Sequence, residues 1–174
     1  MIYLDYQATT PLAPEALDAM LPWLRDQHAN PHSAHAAGRR AAAAVEVARG
    51  QIASAMARNG GRLIFTSGAT EALNIAIAGA ARTMRERDPA RVRVITVATE
   101  HAAVLDTITA LESQGFEPVF LDVGPDGLLD PSDVAASIDG RTALVAAMLV
   151  NNEDRKSTRL NSSHTDISRM PSSA

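Results

Sequence analysis

From residue 62 to residue 150 the chain alternates short apolar runs with longer helical stretches, and this rhythm restricts the fold more than any other feature. Leu63-Ile64-Phe65 reads as a buried strand, followed by a helix over 70–86. Residues 92–97 form a second strand run, and 102–114 a helix broken by Gly115. Strand 118–123, a turn over 124–127, helix 131–138 and strand 143–150 complete the series. Strands that alternate with helices pair in parallel, so the expected fold is a three-layer α/β domain with a mainly parallel sheet. The apolar runs are continuous rather than alternating, as befits strands covered on both faces.

The first sixty residues lack this rhythm. Ile2-Tyr3-Leu4 is a short apolar run ending in Asp5, and residues 14–24 predict a helix with Pro14 in its first turn. Residues 25–35 are polar, carry His28, His32 and His35, and read as a loop that Ser33 is placed to end by capping the next helix. That helix is expected over 36–58, because Ala37, Ala41, Val45, Ala48, Ile52 and Met56 fall on one stripe; Asn59-Gly60-Gly61 ends it. Only 3% of residues are aromatic, and Ala occurs 33 times, so the core must be built from small aliphatic side chains.

Lys+Arg is 16 and Asp+Glu is 20, a net charge of −4 that argues against a broad nucleic-acid-binding surface. There is no Cys, so no thiolate site exists in the 174 residues, and Lys156 is the single lysine. No apolar run reaches the roughly 18 residues of a membrane span. The N-terminus lacks the pattern of a secretory signal, so a cytoplasmic location and no membrane partner are expected. A metal site is not expected: His28, His32 and His35 cluster without an acidic or thiol partner.

The composition changes after residue 153. Residues 155–174 hold six Ser and one Ala, carry a net charge of +3 and lack an apolar stripe. Arg155-Lys156-Ser157-Thr158-Arg159-Leu160-Asn161-Ser162-Ser163-His164 resembles a translated sequencing adapter. Residues 154–174 are therefore expected to be a foreign, unstructured tail, and 1–153 the N-terminal segment and partial large domain of a longer protein.

In open parallel sheets ligands bind beyond the carboxyl ends of the strands. Three polar clusters occupy such positions. Thr66-Ser67-Gly68-Ala69-Thr70-Glu71 suits a phosphate, with N–H groups at Ala69 and Thr70 opening a helix; Ser67 as a plain helix cap explains it too. It is not a P-loop, because no Gly-Lys-Ser/Thr follows. His101, after Ala98-Thr99-Glu100, suits a base, a ligand, a ring laid on a planar cofactor, or an ordinary helix start. Asn151-Asn152-Glu153 offers amides for a ring oxygen or carboxylate, or simply a turn.

Taken together, the chain resembles the N-terminal part of cysteine desulfurases, pyridoxal-phosphate (PLP) enzymes of the class V aminotransferase group. The pieces are Tyr3-Leu4-Asp5-Tyr6-Gln7-Ala8-Thr9-Thr10-Pro11, Asn30-Pro31-His32-Ser33-Ala34-His35, Phe65-Thr66-Ser67-Gly68-Ala69-Thr70-Glu71, Thr99-Glu100-His101 and Val150-Asn151-Asn152-Glu153. The resemblance implies that Ala69 and Thr70 bind the PLP phosphate. It implies that His101 stacks on the pyridine ring and assists proton transfer as a catalytic residue, and that Asn152 contacts the cofactor and the substrate carboxylate. The implied reaction takes L-cysteine to L-alanine and leaves the sulfur as an enzyme persulfide. A sulfur acceptor or scaffold protein would carry it to iron–sulfur cluster assembly or tRNA thiolation, and the full-length protein would be a homodimer. The family's cofactor-binding lysine, ring-nitrogen aspartate and persulfide cysteine have no counterpart in these residues. A selenocysteine lyase or another class V aminotransferase is the near alternative, and a non-catalytic phosphate-binding α/β module the distant one.

Overall fold

The computed structural model describes residues 2–4, 6, 9–56 and 61–151. The expected tail, 154–174, and the candidate Asn152 lie outside these residues. The chain divides into two compact units, one ending at Phe65 and one beginning at Thr66.

The first unit holds two helices, α1 (Pro14–Arg25) and α2 (Ala36–Ala55). Pro14 opens α1, where the missing N–H costs nothing because no intrahelical acceptor exists there. The cap of α2 is His35, not Ser33: the His35 Nδ1 accepts the Gly38 N–H at 3.2 Å. Ser33 instead uses its backbone N–H to close a turn on the Asn30 carbonyl at 3.0 Å. Gly38 lets this turn lie against α2, because a Cβ there would collide with the Ser33 carbonyl oxygen and stand 2.8 Å from that of Asn30. Of the expected α2 stripe only Ala41 is fully buried, while Val45, Ile52 and Met56 are exposed.

The expected strand at 63–65 does not form. Ile64 and Phe65 are 62% and 48% exposed, and the run is extended without a ladder. Strand propensity needs a neighbouring strand to become a strand, and none of the described strands pairs with it. The run is tied down by α2 instead: the Arg49 guanidinium donates to the Leu63 carbonyl and lies 4.9 Å from the centre of the Phe65 ring.

The second unit is α/β, in the order α3 (Ala69–Arg87), β1 (Arg93–Val97), α4 (Ala102–Glu112), β2 (Glu117–Leu121), α5 (Pro131–Ser137) and β3 (Thr142–Ala146). All strand pairs are parallel and the sheet order is β2-β1-β3. The central strand is buried on both faces along Val94–Val97, as a continuous apolar run requires. Val94 packs with Ile77 and Ala81 of α3, Val104, Ile108 and Leu111 of α4, and Phe116. The register slips by one residue between Arg93 and Val94, so that Ala143 is the extra residue on β3 and joins this core. At the other end of the sheet Arg93 reaches Asp139 at 2.6 Å, and Arg141 pairs with Glu117. The last strand is shorter than expected, since pairing with β1 stops at Ala146.

Candidate functional site

The chain runs from β1 through α4 to β2 on one side, then returns through α5 to β3 on the other side of β1. The carboxyl ends of β1 and β3 therefore flank a topological switch point, where neighbouring connections diverge and leave a crevice. A cavity of about 440 Å³ lies there. Leu73 and Ile77 of α3, Glu100, His101 and Val104 line it, opposite Val145–Met148 after and along β3.

His101 caps α4. Its Nδ1 accepts the Ala103 N–H at 3.0 Å, which satisfies one of the helix's unpaired donors. The cap consumes the Nδ1 lone pair, so the neutral ring carries its proton on Nε2. The ring is tied to its own helix by this bond, and His101 lines the cavity.

Glu100 is 8% exposed and is the buried carboxylate of the site. It accepts the Met148 N–H across 48 residues of sequence. Burial pushes its carboxyl above the usual range, and the Met148 and His101 N–H groups with the nearby His101 ring partly offset this. Beside it, the Asn151 Nδ2 donates to the Thr99 carbonyl at 2.9 Å. Sequence reasoning missed Glu100 as a site residue in its own right. The available signal was a carboxylate three residues beyond the buried central strand Arg93–Val97.

The N-terminus of α3 is built differently from the simple Ser67 cap. Gly68 occupies the cap position with extended backbone and no side-chain bond. The Ser67 N–H and hydroxyl both donate to Glu71 Oε2, at 2.6 and 2.7 Å, and hold the Glu71 carboxyl below its usual range. The Ser67 donors are thus committed. The Ala69 and Thr70 N–H groups, in the first helical turn, have no acceptor among the described residues, and space around Gly68 is open. These donors fit a phosphate monoester, and the helix dipole favours its charge. Ala69 and Thr70 do not line the 440 Å³ cavity; Leu73, one turn further along α3, does. Of the residues singled out in the sequence, His101 lies on the cavity and Ala69 and Thr70 one helical turn from its wall.

In the first unit, His28 and Pro31 line a separate apolar hollow with Trp23, Ala41 and Val45. His35 is committed to capping α2.

A parallel α/β unit with open helix N–H groups near a switch-point cavity is the kind of domain suited to a phosphate-bearing ligand. The family profile for class-V aminotransferases matches residues 2–156, and the chain belongs to this family. It is 48% identical over 153 residues to a human protein named cysteine desulfurase, covering 87% of this chain and 33% of that protein. It is 44% identical over 153 residues to the cysteine desulfurase IscS of Anaeromyxobacter sp. (strain K), covering 87% and 37%. A solved structure titled "SspA in complex with cysteine" superposes with a TM-score of 0.77 at 38% identity, covering 87% of this chain and 43% of that one. A NifS-like protein superposes with a TM-score of 0.80 at 33% identity, covering 87% and 41%. The chain thus spans about a third of the length of these curated relatives.

Proposed function

We propose that this chain is the cofactor-phosphate and ring-facing part of a PLP-dependent cysteine desulfurase. The observation that carries the reading is the 48% identity over 153 residues to a protein of that name, within a family match that contains Ala69, Thr70, His101 and Asn152. Ala69 and Thr70 would hold the phosphate through their backbone N–H groups. His101 would lie against the ring with its Nε2–H edge available to hold or move a proton. Asn152 would orient the cofactor and the substrate carboxylate. PLP supplies an electron sink for bonds at the substrate α-carbon. The substrate would be L-cysteine and the products L-alanine and a persulfide sulfur passed to an acceptor or scaffold protein, for iron–sulfur cluster assembly or tRNA thiolation. We place the whole protein in the cytoplasm as a homodimer, with residues 1–153 as its native N-terminal segment and 154–174 as a foreign tail. Among the described residues no helix is long and apolar enough to cross a membrane.

The test uses the 174-residue chain with PLP. Reversible binding is expected, competed by inorganic phosphate and weakened by Thr70→Pro, which removes one N–H donor at a helix position that tolerates proline. No sulfide is expected from L-cysteine, since the chain contains no Cys to accept sulfur. Phosphate-insensitive PLP binding would defeat the phosphate assignment, and sulfide release by this chain would defeat the persulfide route. In a full-length relative-length protein, His101→Ala should lower turnover more than PLP retention.

A further inference from the structure

We propose that Glu100 is a positioning residue: its buried carboxylate clamps the backbone leaving β3 to the turn leaving β1, and so sets the width of the cleft that carries His101. The inference rests on reading that cleft as the cofactor end of the domain. Regular pairing between β1 and β3 ends at Thr96 and Ala146. Beyond that point the two chains part, yet two side-chain bonds still join them: Met148 N–H to Glu100 Oε1, and Asn151 Nδ2 to the Thr99 carbonyl. The first uses a charge-assisted bond in a buried setting, the strongest kind a backbone N–H can make. Met148 and Glu100 face each other in the cavity wall, with His101 next along the chain. Among the described residues no Lys or Arg lines the cavity to compete for the carboxylate. With its Oε1 committed to Met148, Glu100 acts on the site through the backbone it holds. The clamp fixes two things at once: where α4 starts, hence the His101 ring, and where the chain after Met148 enters the site.

The experiment is amide hydrogen exchange on the 174-residue chain, read residue by residue, together with PLP binding by equilibrium dialysis. In Glu100→Ala, Met148 should lose protection by about tenfold or more, while Ile95 at the centre of β1 stays protected, and PLP should bind several-fold more weakly. Glu100→Gln keeps an oxygen acceptor and should restore both. Unchanged exchange at Met148 in Glu100→Ala overturns the clamp. If Glu100→Ala deprotects Ile95 as well, Glu100→Asp decides: it keeps the charge and shortens the reach, so Met148 should open with Ile95 still closed. Protection of Met148 retained in Glu100→Asp overturns the proposal. If the exchange pattern follows the clamp while no variant nor the parent chain binds PLP, the clamp stands and the cofactor reading falls.

Discussion

At the scale of single residues, two buried polar groups in β1 and its exit turn are treated oppositely. Thr96 is fully buried and its hydroxyl has no partner among the described residues. By strand alternation it shares the face of Val94, inside the α3–α4 core. An unpaired buried hydroxyl costs free energy that an apolar side chain of similar shape does not. Thr96→Val should therefore raise stability by about 1 kcal/mol, measured by urea unfolding, with loss of stability showing that the hydroxyl has a partner. Glu100 is paired but still held above the usual carboxylate range by burial. A folded-state pKa above the unfolded value means the folded chain binds the proton more tightly, so this group's favourable contribution is full below the unfolded pKa and is lost as pH rises through the folded one. Glu100→Gln should thus gain stability relative to the parent chain at neutral pH. The gain should fade as pH falls toward the unfolded carboxyl range, and a gap that widens on acidification would contradict the sign.

At the scale of elements, Gly38 and Gly50 sit in the same helix and predict opposite outcomes for the same substitution. A Cβ at Gly38 collides with the carbonyls of Ser33 and Asn30, whereas nothing lies within 4 Å of one at Gly50. Gly38→Ala should destabilise by roughly 1–3 kcal/mol through overpacking, and Gly50→Ala should stabilise by about 0.4–1 kcal/mol; equal effects in denaturant titrations would refute the close approach of the 30–33 turn. Helices α1 to α5 were legible in the sequence because their signals are local: alanine-rich stripes, Pro14 and Pro131 at first turns, and Asp130 before α5. The caps were less so, since His35 and Ser33 both offer acceptors and only backbone geometry selects between them. Leu63-Ile64-Phe65 misled because strand formation depends on a neighbour, which local composition does not reveal. Glu100 was not legible as a site residue, because its partner Met148 is brought to it only by the β1–β3 pairing.

At the scale of the whole molecule, the second unit joins local contacts, such as α3 against α4 and β1 against β2, to one non-local closure at β3. Its order of assembly is set by how much chain must be looped to make each contact. The two lips of the cleft, Glu100 and Met148, are 48 residues apart. Closing so long a loop is entropically dearer than forming α4 or pairing β1 with β2, and long-range strand pairing is the slower event. In pulse-labelled exchange during refolding, Ile95 and Leu111 should acquire protection before Met148 does, and simultaneous protection would contradict that order. Among the described elements, the switch-point crevice is then the last to form. A chain synthesised in order from residue 1 thus holds the open N-terminus of α3 before it holds the cleft wall that β3 supplies. A ligand that needs both walls of the cleft would therefore bind only once β3 has docked.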